Sequence, residues 1–374
     1  MIKRKLEHII TENIDKGKVI IILGARQVGK TTLIKEIAGK WNFKYLLRNG
    51  DEPDTRELFT NVTSTELKAA IADNELLIID EAQRITNIGL TLKLIIDNLE
   101  GKKVIATGSS SLDLANEINE PLTGRKIELM LFPLSFAEMV DEHGLIEEKR
   151  LLEHRLVYGY YPEVVKNPGN EKEILRDISD SYLYKDLFAY EKIKKPSLLE
   201  KLLQALSFQV GNEVSYNELS NLVGADKETV EKYIDLLEKA YVIFRLQSFR
   251  RNLRNEIKKS RKIYFLDNGI RNSIIKNFSP AKLRNDIGSL WENFLISERM
   301  KTNHYKQRWV NKYFWRTHAK QEIDYIEEID SVLYAFEFKW NPKAKVKIPK
   351  TFQKTYPNSQ FEIISKDNFV EFFV

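Results

Sequence analysis

A chain of 374 residues is longer than one hydrophobic core usually serves, so several domains are expected. Hydrophobic residues at 43% and charged residues at 30% exclude a disordered chain, and the absence of cysteine excludes disulfides, thiol nucleophiles and thiolate metal sites. A net charge of +5 permits nucleic acid or another anionic partner without requiring one.

The first ten residues, MIKRKLEHII, carry charges through their opening turns and do not read as a signal peptide. No apolar run reaches membrane-spanning length, so the expectation is a cytoplasmic protein with no membrane partner. From Lys18 to about Pro133, apolar runs alternate with helical patterns: VIIIL (19–23), LLIID (76–80), VIAT (104–107) and IELMLF (127–132). Continuous apolar runs bounded by turn residues are what strands buried on both faces of a parallel sheet look like, which predicts an α/β domain over 1–134.

GARQVGKT, Gly24 to Thr31, fits GxxxxGK[ST] between a β-branched strand and a helical pattern, the context that a phosphate-binding loop requires. Gly24, Ala25, Arg26, Gln27, Val28, Gly29, Lys30, Thr31 and Thr32 are therefore the candidate ATP-binding residues. Backbone N–H groups at a helix start would wrap the phosphates, Lys30 would meet the β/γ-phosphates, and the Thr31 hydroxyl would bind Mg²⁺. Further on, a buried run ends in Asp80-Glu81, a metal-binding carboxylate followed by one that orients or deprotonates the attacking water. Ser109, in the GSSS after the next strand, is the candidate for reaching the γ-phosphate; a serine there also serves as a cap or turn former. Arg125, in LTGRK, is a candidate finger for transition-state charge, in cis or on a neighbouring subunit, or else a surface arginine.

SFAE from Ser135 is a capping-box pattern opening a helical lid or linker over 135–195, broken at GYYPE (159–163) and NPGN (167–170). Residues 196–255 read as helix, turn, the amphipathic helix ETVEKYIDLLEKA and the β-rich YVIFRLQSF, the order of a winged helix-turn-helix. Between Arg245 and Lys262 stand eight basic residues against one acid. Of these Arg250, Arg251, Arg254, Lys258 and Lys259 are the candidate DNA contacts, although Glu228, Glu231 and Asp235 on the preceding helix would repel DNA if they faced it. A further α/β section, 256–374, carries KIYFLD, the helix SLWENFLISERM and strands YFWRT, EIDYIE and LYAFEFKW.

GARQVGKTT, LLIIDEAQ, ATGSSS, LTGR and LFPLSFAE, with VYGYYPEVV, YLYKDL and RKIYFLDNGIRNSI downstream, resemble the AAA-type P-loop ATPases of a widespread bacterial and archaeal family. Its members carry a C-terminal domain of unknown function related to PD-(D/E)xK nucleases. The resemblance spans nearly the whole chain and implies an AAA-like parallel-sheet domain, a winged-helix segment and a restriction-endonuclease-like C-terminal α/β domain. In AFEFKW, Glu337 and Lys339 share a strand face, a hairpin would bring Asp324 beside Glu337, and Glu292 on a helix would add a fourth group. This resembles a D…ExK nuclease site, with the ordinary alternative of a surface ion pair on one strand face. Two functions follow: an ATP-driven enzyme acting on DNA, or a regulatory ATPase switch. In the second, ATP occupancy changes self-association or the binding of a protein partner, and the nuclease-like C-terminal domain is an inert interaction module.

Overall fold

The run VIIIL forms β1 (Val19–Leu23) with every residue buried, because its β-branched side chains pack on both faces of a sheet. The computed structural model describes residues 2–108, 121–180, 196–249, 261–317 and 319–373. The chain divides into two compact units, residues 1–134 with 239–241, and residues 135–238 with 242–374.

In the first unit β1 lies in a parallel sheet with β2 (Tyr45–Asn49), β3 (Leu76–Asp80), β4 (Lys103–Gly108) and β5 (Lys126–Met130), in the order β2-β3-β4-β1-β5. β3 is also buried at every position. Ile21, Ile79 and Ala106 join Leu92 and Ile95 of the helix Ile88–Asn98 in one core, where each large aliphatic side chain contributes about 1.5–3 kcal/mol on burial. The edge strand β2 is not among the four strands read from sequence. It is half-exposed and ends in Arg48 and Asn49, so it carries no continuous apolar run. In a parallel sheet the connections leave from the C-terminal strand ends, which sets the loops after β1 and β3 along the edge at which β4 also ends.

In the second unit Ser135 caps the helix Phe136–His143 through a capping box: Glu138 N–H donates to Ser135 Oγ at 3.1 Å and Ser135 N–H to Glu138 Oε2 at 2.8 Å. The breaks at GYYPE and NPGN separate Leu152–Tyr158, Pro162–Lys166 and Glu171–Ile178. Helices Pro196–Phe208, Tyr216–Val223 and Lys227–Lys239 then lead into the antiparallel strands β6 (Ile243–Ser248) and β7 (Arg261–Phe265). The boundary expected at 255/256 falls between these two paired strands. β6 also runs parallel to β8 (Asn311–Arg316), so the hairpin continues a six-stranded sheet, β11-β10-β9-β8-β6-β7, whose other members are β9 (Glu322–Ile329), β10 (Val332–Phe338) and β11 (Gln360–Ile364).

Two of the sequence landmarks meet in this unit as packing elements. Asp267 accepts Tyr160 N–H at 2.7 Å and Ile270 N–H at 3.1 Å, capping the helix Asn268–Ile274 on the GYYP turn. Gly159 has φ +72°, and a Cβ there would stand 2.1 Å from Asp267 Oδ1, so only glycine fits the turn. Among the described residues no helix is long and apolar enough to cross a membrane.

Candidate active site

The loop after β1 is held open by its glycines. A Cβ on Gly24 would lie 2.2 Å from the Leu131 carbonyl oxygen, and Gly29, at φ +96°, is the left-handed residue from which the helix Lys30–Lys40 starts. That start leaves backbone N–H groups of the first turn pointing out of the helix, the donors that a phosphate group takes. The Lys30 side chain, only 5% exposed, folds back over the loop and donates to the carbonyl oxygens of Gly24 and Ala25, both at 2.9 Å. Burial pulls its ammonium down to about 8, against the opposing effect of Glu81 and Asp80.

Asp80, at the end of β3, reaches the same point. The Thr31 hydroxyl donates to Asp80 Oδ2 at 2.7 Å, and the Thr107 hydroxyl, from β4, donates to the other carboxylate oxygen. Glu81 follows in a left-handed conformation, φ +50°, its N–H donating to Thr107 Oγ1 at 3.2 Å and its carboxylate accepting Gln83 Nε2 at 2.6 Å. A hydroxyl and a carboxylate converging beside a buried ammonium fit the donor set that Mg²⁺ bound to a nucleotide needs.

In sequence, residues 16–140 match the family described as AAA domain, 149–281 a domain of unknown function (DUF8612), and 287–371 another (DUF4143). Residues 16–140 are an AAA-type P-loop domain. The chain is 26% identical to an uncharacterized protein of Haemophilus influenzae, over 87% of this chain and 84% of that one. It is 25% identical to an uncharacterized protein of Mycobacterium tuberculosis, over 87% and 70%. Among solved structures, it is similar to the Walker-type ATPase PABY2304 of Pyrococcus abyssi at a TM-score of 0.49 and 15% identity, covering 74% of this chain and 96% of that one.

Within the AAA-type domain, Arg125 is not brought to the phosphate loop. Its carbonyl accepts Val19 N–H at the N-terminal end of β1, whereas the loop leaves the C-terminal end, and its guanidinium is taken by Asp97 at 2.7 Å. This corrects the expectation of a finger in cis. Ser109 lies outside the described residues. Sequence reading missed Arg4, whose buried guanidinium donates to the Val28 carbonyl at 2.7 Å and the Phe132 carbonyl at 2.6 Å, bracing the loop from behind. It also missed Thr107. Arg4 carries no local motif, and Thr107 lies in the ATGSSS run, where the hydroxyl expected to act was that of Ser109.

The buried Lys30 ammonium makes a pH prediction. Phosphate charge favours protonated Lys30, so the bound state holds the proton more tightly than the free state, and binding is fully supported only below the free-state value near 8. Calorimetry is expected to find Mg·ATP affinity roughly tenfold weaker at pH 9 than at pH 7. An affinity flat across that interval would contradict the Lys30 assignment.

The second unit gathers the other candidates differently. The β9–β10 hairpin turns at Asp330 and Ser331, both at positive φ, and its register runs to Phe336↔Tyr325, one step short of Glu337 and Asp324. Lys339 Nζ donates to Glu337 at 2.7 Å, and Asp324 Oδ2 accepts Phe338 N–H at 2.8 Å. Glu292, on the helix Ile287–Tyr305, accepts both Tyr264 O–H at 2.6 Å and Lys262 Nζ at 3.0 Å. Among the described residues no group of three or more acidic or histidine side chains is arranged to hold a metal ion.

The basic stretch also changes meaning. Arg245 forms ion pairs with Asp235 and Glu238, and Arg261 stacks over Tyr216 at 4.3 Å while facing Glu231 at 3.8 Å. Lys262 is 1% exposed. These three basic residues are used internally: Arg245 and Arg261 face acids of the helix Lys227–Lys239, and Lys262 pairs with Glu292 and Glu322. Arg250, Arg251, Arg254, Lys258 and Lys259 lie outside the described residues.

Proposed function

We propose that the AAA-type domain hydrolyses ATP and that the second unit uses this on DNA through a winged helix formed by residues 196–255. The observation that carries the ATPase reading is the convergence of the Thr31 hydroxyl on Asp80, 2.7 Å apart, beside the buried Lys30. Mg²⁺, when bound there, supplies charge neutralisation on the β- and γ-phosphates. The chain's own residues do the rest. Loop N–H groups and Lys30 bind and orient the triphosphate, exchanging the Gly24 and Ala25 carbonyls for phosphate oxygens at Lys30. Glu81 orients water for attack and takes its proton at the carboxylate that Gln83 otherwise holds. Thr107 fixes the Asp80 carboxylate and the Glu81 backbone together.

For DNA, the support is the order of three helices followed by the β6–β7 hairpin, closed by a bridge between Glu213 and Lys262, with the remaining basic residues between the two strands. The pairing of Arg245 and Arg261 with the helix acids removes part of the repulsion that those acids would otherwise offer a phosphate backbone. Duplex DNA at low salt is expected to raise ATP turnover severalfold, with the gain lost as salt rises. Turnover indifferent to DNA at every salt concentration would contradict this arm.

A second reading rests on a specific observation, the lysine seated among the C-terminal carboxylates. In it the nuclease-like C-terminal domain is an inert module, and ATP controls assembly or a protein partner. An ATP analogue that is not hydrolysed would then change the light-scattering mass, whereas DNA would leave turnover unchanged.

A further inference from the structure

Lys262 belongs to none of the groups expected at a D…ExK site, yet its ammonium pairs with one of them, Glu292, and feels the charge of another, Asp324. It meets Glu292 at 3.0 Å and Glu322 at 2.5 Å. Its backbone is paired on both sides, with Leu246 of β6 and through the bridge to Glu213, which fixes the point from which the side chain reaches the cluster. We infer that the Lys262 ammonium takes the place that a nuclease-type divalent metal would occupy, making the cluster an internally paired ion network that binds no metal. The inference rests on the nuclease-like reading of the C-terminal domain.

Each acid of the cluster already has a protein donor. Glu292 Oε1 takes both Lys262 and the Tyr264 hydroxyl, Asp324 takes the Phe338 N–H, and Glu337 takes Lys339. Glu322 takes Lys262, with Arg316 at 3.6 Å. On the remaining side Gly211 closes over Glu292: a Cβ there would stand 3.2 Å from Oε2. Burial disfavours the Lys262 ammonium, but Glu292, Asp324 and Glu322 outweigh it and hold the group above the ordinary lysine range, so it stays charged. A divalent ion entering the same carboxylates would face that fixed positive charge at a few ångströms in a poorly solvated site, where like charges repel strongly. The network also ties β7 to the helix Ile287–Tyr305 through Glu292 and to β9 through Glu322.

The test uses the full chain carrying Asp80→Asn, which removes the P-loop carboxylate, with Mn²⁺ as the probe and no nucleotide. Electron paramagnetic resonance of free Mn²⁺ reads the bound fraction. With Lys262 present, no Mn²⁺ is expected to bind at the cluster. Lys262→Met keeps the length and removes the charge, and is expected to gain one Mn²⁺ with affinity at least tenfold above the parent, the gain disappearing when Asp324→Asn is added. If the parent binds one Mn²⁺ that Asp324→Asn abolishes, the inference is overturned and the nuclease-site reading stands. If Lys262→Met folds, judged by its melting curve, and still binds none, the inference is overturned together with the reading of these residues as a nuclease-type constellation. Should that variant not fold, the parent titration decides alone: binding abolished by Asp324→Asn overturns the inference, and its absence supports it.

Discussion

Lys30→Ala is expected to remove measurable Mg·ATP binding while leaving the fold intact. The ammonium is buried and, without nucleotide, satisfied by two loop carbonyls, so binding swaps neutral acceptors for charged phosphate oxygens on a group already in position. Charge-assisted hydrogen bonds of this kind are worth about 1.5–3 kcal/mol each, and losing two lowers affinity by on the order of 100-fold or more. Stability should change little, because the loop is braced from behind by Arg4 at Val28 and Phe132, and because the deletion also removes a buried charge whose desolvation is unfavourable. Calorimetric titration with Mg·ATP, beside a melting curve of the variant, separates the two effects. Affinity within threefold of the wild type would contradict the loop assignment.

Glu81→Gln is expected to do the opposite, preserving nucleotide binding and removing turnover. The variant keeps the size and the hydrogen-bonding reach of the side chain but lacks the carboxylate that accepts the water's proton. Losing a positioned general base costs about 10²–10⁴ in rate. The left-handed backbone at Glu81, φ +50°, is a strained conformation for a side chain other than glycine or asparagine, held by the Glu81 N–H contact to Thr107 Oγ1. That strain aims the carboxylate away from β3, and the glutamine variant retains it, so its kcat should fall with little change in KM. A fall in affinity equal to the fall in rate would show that Glu81 acts on binding instead.

How far these residues could be read in advance depends on the distance over which each interaction acts. The phosphate loop and the Asp80-Glu81 pair are contiguous, and the strand, glycine and helix signals around them are local, so residue order alone sets them beside one another. Arg4 and Thr107 act on that site from 24 and 26 residues away; no motif marks Arg4, and the run ATGSSS that holds Thr107 does not say which hydroxyl reaches Asp80. Alternation along β10 puts Glu337 and Lys339 on one face, and the hairpin brings Asp324 near; nothing local says that Lys262, from β7, will be seated among them. The basic stretch shows the same limit. A count of charges reports a surplus, whereas Arg245, Arg261 and Lys262 are consumed by acids that only the folded chain brings to them. β2 escaped notice because an edge strand needs an apolar pattern on one side alone.

The most direct measurement is steady-state phosphate release from Mg·ATP near neutral pH by the wild-type chain and by Glu81→Gln, each with and without duplex DNA. The account predicts release by the wild type at least about 100-fold above the variant. Wild-type release no greater than that of the variant, in both conditions, would contradict it.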